Sequence, residues 1–262
     1  MASVTVNSFS EFIAAVAVSG DTVNLPVKAV WDLNDIYPEG YTGNIPINCE
    51  AINGNETEIR NLHLYGKFVV PADLEINDLF MTNIVGEETA FFDYGGSART
   101  ITANGCIITG IYGVNMQYFN VSGMALNRCV LNLDMTTGRT DASLLGGSFS
   151  ARYSRITLVY PNGVSGVGFV CDDGGIQYCM INIQMLGARF FDSSMFSGCV
   201  ILGNYGEAYD SGGGGHGAQV SVYDVAAFAD DFEPDTSYVK GVTYDQLYDA
   251  AYLQSIGFPI GA

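Results

Sequence analysis

Gly105-Cys106-Ile107-Ile108, Arg128-Cys129-Val130-Leu131, Tyr178-Cys179-Met180-Ile181 and Gly198-Cys199-Val200-Ile201 share one pattern: a polar or small residue, a cysteine, then an apolar run. Tyr153-Ser154-Arg155-Ile156 has the same form with serine in the cysteine's place. Upstream, Asn61-Leu62-His63-Leu64 and Asn83-Ile84-Val85 fit the same slot with asparagine. Positions 61, 83, 106, 129, 154, 179 and 199 lie 22, 23, 23, 25, 25 and 20 residues apart, the length of one solenoid coil.

Each repeat holds a second apolar or aromatic patch, among them Ala90-Phe91-Phe92, Val114-Asn115-Met116, Leu144-Leu145, Gly168-Phe169-Val170 and Arg189-Phe190-Phe191. Between the patches stand turn formers such as Gly95-Gly96, Gly146-Gly147, Pro161-Asn162-Gly163 and Asp172-Asp173-Gly174-Gly175. Short apolar runs at this spacing, with no helix-length periodic segment between them, predict an all-β chain folded as a single-stranded parallel β-helix. Equivalent side chains then stack inward, and Cys106, Cys129, Ser154, Cys179 and Cys199 form a structural ladder. A barrel or sandwich would show turn signals every 8–12 residues or so, without one residue type returning to one slot.

Composition agrees. Of the 262 residues 48% are hydrophobic, so the chain has ample material for a core and is not disordered. Glycine is high, at 32 residues where average usage of about 7% would give roughly 18. Only 15% of residues are charged, too few for the solvent face of a helical bundle. Yet 28 acids against 10 bases leave a net charge of −18, which repels phosphate backbones and anionic lipid. Neither nucleic acid nor a membrane is therefore an expected partner. The apolar stretch Phe12 to Val18 is short and follows Glu11, so it reads as neither a membrane span nor a signal peptide. The six cysteines, at 49, 106, 129, 171, 179 and 199, form no CxxC pair and no zinc spacing, and are expected to be reduced core residues. No metal or cofactor is expected.

The ends of a solenoid need covers, because a bare coil exposes a strand edge. Ser8-Phe9-Ser10-Glu11 is a capping box, with Phe9, Phe12, Ile13 and Val16 on one helical face. Gly20-Asp21 ends that helix and Thr22-Val23-Asn24-Leu25 begins the first strand. Thr243-Tyr244-Asp245-Gln246 is a second capping box, with Tyr244, Leu247, Ala250 and Ala251 as the apolar stripe. The expected organisation is an N-terminal capping segment over 1–20, the β-helix over 21–235 and a C-terminal cap and tail over 236–262, with short helices at Phe9–Val18 and Tyr244–Ser255.

Several stretches resemble a known family. Val4-Thr5-Val6 through Phe12-Ile13 and Gly20-Asp21-Thr22-Val23 look like the first coil of the pectate-lyase-like right-handed parallel β-helix superfamily. Ile45-Pro46-Ile47-Asn48-Cys49, Ala51-Ile52-Asn53-Gly54-Asn55 and Glu58-Ile59-Arg60-Asn61-Leu62 are similar to early coils of β-helix proteins from bacteriophages and prophages of Gram-positive gut bacteria. Tyr252-Leu253-Gln254-Ser255-Ile256-Gly257-Phe258-Pro259-Ile260 looks like the ending of the same group. The resemblance covers most of the chain as a coil pattern, implies the right-handed form, and specifies fold better than activity.

Superfamily members include polysaccharide lyases and glycosidases. The basic residues are scattered, although Arg128 and Arg155 flank the cysteine slot in adjacent coils and could stack on one face; solvated outward arginines are the plainer reading. Asp172-Asp173 and Gly215-His216-Gly217 look like the paired acids and Gly-His-Gly of polygalacturonase-like enzymes. Against this, Asp173 and His216 are 43 residues apart, nearly two coils, the family's Asn-Thr-Asp is missing, and no Arg-Ile-Lys follows His216. A turn at Asp172–Gly175 and a glycine loop at 212–217 account for both stretches. His63 reads as a strand residue. The 16 tyrosines fit either sugar-stacking or solenoid stacking.

The expected function is a non-enzymatic phage virion protein: a fibre, spike or decoration module, trimeric, contacting other virion proteins and host surface polysaccharide. No catalytic residue is assigned. Two alternatives stay open: a polysaccharide-degrading glycosidase or lyase using Asp172, Asp173 and His216, and a bacterial adhesin, secreted or at the cell surface.

Overall fold

A computed structural model describes residues 2–86, 92–93, 99–112, 117–120, 123–134, 143–145, 148–159, 175–185, 195–205, 219–227 and 239–260. All named strand pairings in it are parallel, and the chain is a parallel β-solenoid. Stacking is inevitable from the sequence pattern: short alternating runs cannot bury a face alone, so each coil lays its strands on the one before.

One face stacks Ser3–Thr5, Thr22–Asn24, the first half of Ala51–Arg60, the first half of Leu74–Gly86, Thr100–Asn104, Gly123–Asn127, Ser148–Arg152, Gly175–Gln177 and Met195–Ser197. A second face starts with Val30–Asp32 and the later halves of those two long strands. It continues through Ile107–Tyr112, Val130–Asp134, Arg155–Val159, Met180–Met185, Val200–Tyr205, Ser221–Asp224 and Val239–Val242. A shorter third sheet joins Ile45–Pro46, Phe68–Val69, Phe92–Asp93, Gln117–Asn120 and Ser143–Leu145. Strands alternate inward apolar and outward polar residues, so Ile101, Leu126, Leu131, Phe149, Ile156, Leu158, Ile181 and Ile201 belong to one continuous buried core. Phe68 and Phe92 stack inside it with centroids 5.3 Å apart. Two interior voids, between Phe12 and Met124, hold only about 10 Å³ each, too little for a ligand.

The first two faces meet at a two-residue corner. Its first residue is left-handed in successive coils: Asp78 (φ 48°), Gly105 (64°), Arg128 (54°), Tyr153 (51°), Tyr178 (54°) and Gly198 (66°). Glycine takes this conformation freely, whereas tyrosine and arginine are strained in it. Hydrogen bonds between coils hold them there. The Arg128 amide donates to the Arg152 carbonyl at 2.9 Å, Tyr153 to Gln177 at 3.1 Å and Tyr178 to Ser197 at 2.9 Å.

Three sequence expectations need correction. Asn61 and Asn83 do not share the cysteine slot. Register places Thr57 and Leu79 there instead, because the strands Ala51–Arg60 and Leu74–Gly86 run through the corner and reach the asparagines four residues later. Asn61 (φ 58°) and Asn83 (φ 51°) make a second left-handed corner, where Asn83 Nδ2 donates to Asn61 Oδ1 at 2.6 Å and Asn61 Nδ2 to Asp32 Oδ1 at 2.9 Å. Second, Thr22–Asn24 is not the first strand: Ser3–Thr5 precedes the N-terminal helix and pairs with it, and at the other end the sheet extends to Val239–Val242.

The third concerns the caps. The N-terminal helix spans Phe9–Val16 and buries Phe9, Phe12 and Val16. The Glu11 amide donates to Ser8 Oγ, while the Glu11 carboxylate accepts from the Asn7 amide rather than from Ser8. The C-terminal cap is two short helices, Tyr244–Leu247 and Ala250–Ser255. The break lies at Tyr248–Asp249, where Asp249 recaps the chain by accepting from the Tyr252 amide at 3.0 Å. That turns the second helix so that Leu253, not Ala250 or Ala251, is buried against Val222 and Val242, and leaves Tyr244 62% exposed.

Candidate functional site

The cysteine column sits one step inside the corner. Register aligns Cys106 with Cys129, then Ser154, Cys179 and Cys199, and continues to Ser221. Each side chain is small enough for the bend and can bond to backbone. Cys129 Sγ donates to the Ala103 carbonyl at 3.3 Å and Cys199 Sγ to Ile176 at 3.2 Å. Ser154 Oγ accepts from the Cys129 amide at 3.0 Å and donates to the Arg152 carbonyl at 2.8 Å. A hydrogen bond to Cys129, then burial, pushes the Cys106 thiol up; a bond to Cys199, then burial, does the same to Cys179.

Cys49, Cys106, Cys129, Cys179 and Cys199 are all free and buried; Cys171 lies outside the described residues. Burial pushes the Cys49 thiol from 9.0 up to about 11. The folded state therefore holds that proton more tightly than the unfolded state, so its contribution is intact below pH 9.0 and fades as pH rises toward about 11. Two results are expected: in native protein these five cysteines, followed by peptide mapping, do not react with a thiol-specific disulfide reagent until denaturant is added, and the thermal midpoint declines across that alkaline window. Rapid labelling at any of these five positions would contradict their burial.

Just outside the corner lies a feature the sequence reading missed. Asn24, Asn53, Asn77, Asn104 and Asn127 are in register, and each donates its side-chain Nδ2 to the Oδ1 of the previous one, at 2.8, 3.1, 2.9 and 2.9 Å. The signal was present as asparagine two residues before Cys106 and Cys129, but intervals of 29, 24, 27 and 23 residues hid it. Arg152 and Gln177 continue this column where the asparagines end.

The asparagine column and the left-handed corner together wall an outward-facing groove of about 540 Å³. Asn77, Asn104 and Asn127 line one side, Asp78, Gly105 and Arg128 the other, and Arg152 with Tyr153 closes one end. Its width at Gly105 is fixed by Asp78, whose Oδ1 stands 2.2 Å from where a Cβ would be. Tyr153 is 54% exposed and is backed by Tyr178, with ring centroids 5.3 Å apart and planes 7° from parallel.

Charge is unevenly placed. Lys28 pairs with Glu56 at 3.2 Å, Arg60 with Asp32 at 2.9 Å, Lys67 with Asp93, and Arg99 donates to the Pro71 carbonyl. The guanidinium groups of Arg128, Arg152 and Arg155 are exposed and make no ion pair or hydrogen bond among the described residues. Arg128 and Arg155 do not stack on each other. Arg128 precedes its cysteine slot and aligns with Tyr153, whereas Arg155 follows its slot and aligns with Val130 and Met180. It is Arg152, one residue from Tyr153, that shares the groove with Arg128.

Asp172, Asp173 and His216 lie outside the described residues. His63 stands on the strand His63–Leu64, stacked on Tyr65 at 4.3 Å. No group of three or more His, Cys, Asp or Glu able to hold a metal ion occurs among the described residues. The groove offers amide donors, two cations, an aromatic face and one carboxylate, Asp78. Chemically, that set is suited to hydrogen bonding, charge pairing and ring stacking with a polar chain; glycoside hydrolysis ordinarily takes two carboxylates. Comparison of the chain with protein-family models, with curated proteins and with solved structures found no match.

Proposed function

We propose that the protein is a non-enzymatic structural β-solenoid of a phage virion, a fibre, spike or decoration module, and that its corner groove binds surface glycans. One observation carries the reading: the groove's wall is built of asparagines already locked to one another from coil to coil, beside an exposed tyrosine. Such a wall is organised before a ligand arrives, so little side-chain freedom is lost on binding. Amides suit sugar hydroxyls, and an aromatic ring suits the apolar face of a pyranose. The capped, close-packed solenoid supports a structural role, and the early-coil resemblance supports the virion as its setting. Association as a trimer with other virion proteins belongs to the same proposal.

The test is affinity electrophoresis through a panel of bacterial surface polysaccharides, with the same glycans assayed for new reducing ends and 4,5-unsaturated products. Retardation without product formation is expected. Product formation that Asp173→Asn abolishes would replace this reading with a polysaccharide-degrading enzyme. Absence of retardation by every glycan would remove the binding half of the proposal.

A further inference from the structure

The structure assigns the Arg128–Arg152–Tyr153 end of the groove as an oxyanion site, so that the glycan it takes is an acidic one, bearing a carboxylate or sulfate on a sugar ring; this rests on the glycan-binding reading above. A net charge of −18 gives the molecule a long-range field that repels anions, so a cation left unpaired is conspicuous. Lys28, Arg60 and Lys67 each have a carboxylate partner. Arg128 and Arg152 have none among the described residues, although both line one groove. Guanidinium groups present paired donors that match an oxyanion in two-point fashion.

The neighbouring groups share this polarity. An amide nitrogen has two N–H donors, and the ladder uses one of them per asparagine, so Asn77 and Asn127 each keep a second. Donors for ligand oxygens therefore stand on the Asn77 and Asn127 coils, whereas Asn104 between them gives its second N–H to Glu75 Oε1 at 3.4 Å. Asp78 stands toward the opposite end of the groove: its carboxylate reaches to Gly105, still two coil steps from the Arg152 coil, or about 10 Å at the usual strand spacing. A negative group is repelled at the Asp78 end and held at the Arg152 end, which fixes the direction of the bound chain. Tyr153 completes the site as a platform for the ring that bears the anion.

Two substitutions remove the cations without disturbing the solenoid. Arg152→Gln puts in the column the residue type that Gln177 already contributes to the next coil. Arg128→Gly puts in the left-handed corner the residue found at Gly105 and Gly198. Binding is measured by calorimetry on the full chain, at low and high salt, with oligogalacturonate, a sulfated heparin-derived oligosaccharide, a neutral dextran oligosaccharide of equal length, and inorganic sulfate. At least one acidic oligosaccharide is expected to bind about tenfold or more tightly than the neutral one, with a salt-sensitive affinity. Each arginine substitution should weaken it about tenfold, and Lys28→Gln, at a carboxylate-paired cation outside the groove, should not. Which acidic probe wins identifies carboxylate or sulfate. Equal binding of neutral and acidic chains, or arginine variants that bind like the parent, overturns the oxyanion site while leaving glycan binding intact. Inorganic sulfate binding as tightly as the acidic sugar overturns the saccharide assignment, and no binding by any oligosaccharide overturns both readings.

Discussion

Phe149→Ala is expected to lower the stability of the solenoid by about 3–5 kcal/mol, measured as the shift in a urea or guanidinium midpoint followed by circular dichroism. Phe149 is fully buried in the strand Ser148–Arg152 and lies in register with Met124 one coil earlier. Truncation loses the transfer free energy of a phenyl ring and leaves a hole that stacked coils cannot close. Each coil is fixed to its neighbours by strand hydrogen bonds on both sides, so a local collapse would break the ladder along its length. Phe149→Leu, which keeps most of the volume, should cost distinctly less. A loss under about 1 kcal/mol for the alanine variant would mean that this part of the core is loosely packed.

Asn104→Ala has the second-largest expected effect, about 2–3 kcal/mol. Asn104 is the inner rung of the asparagine ladder, donating to Asn77 Oδ1 and accepting from Asn127 Nδ2, both at 2.9 Å. Alanine leaves one acceptor and one donor without their partners in a half-buried setting, which is costlier than the loss of the two bonds alone. Asn24→Ala should cost less, since its outer partner is the exposed Ser3 hydroxyl and water can take its place. A double-mutant cycle across Asn77 and Asn104 isolates the rung energy, and the expected coupling is positive. If the terminal and inner rungs cost the same, the ladder contributes nothing cooperative.

The coil length and the column from Cys106 to Cys199 were legible because a bend beside a buried strand needs an inward side chain, and cysteine or serine, small and able to bond to backbone, meets that need in each of these coils. The same column was illegible in the early coils for the same reason reversed. Thr57 meets the need with a hydroxyl that donates to the Pro26 carbonyl, and Leu79 meets it by packing alone, so neither looks like a cysteine. Asn61 and Asn83 stood in their place because asparagine tolerates left-handed backbone at either kind of corner, and the two corners differ only in register.

The groove was harder to see. Tyr153, Tyr178 and Arg128 occupy positions where local preference argues against them, and only hydrogen bonds between coils, invisible in sequence, keep them there. Pairing Arg128 with Arg155 by distance from the cysteine slot failed since one precedes the bend and the other follows it. That difference of side sends Arg155 to another face and brings Arg152 in.

The corner has one more consequence. In the six coils from Asp78 to Gly198 one left-handed residue stands at the rim, and all of them but the buried Gly198 contribute an outward position and almost nothing to the interior. Backbone bonding sets their conformation whatever the side chain, so acid, base, aromatic and glycine all stand on the same rail at the strand spacing of about 4.8 Å. Evolution, or an engineer, can exchange the non-glycine letters of this row and alter what the molecule greets, whereas Gly105 and Gly198 have no room for a side chain. The solenoid thereby separates the text of recognition from the page on which it is written.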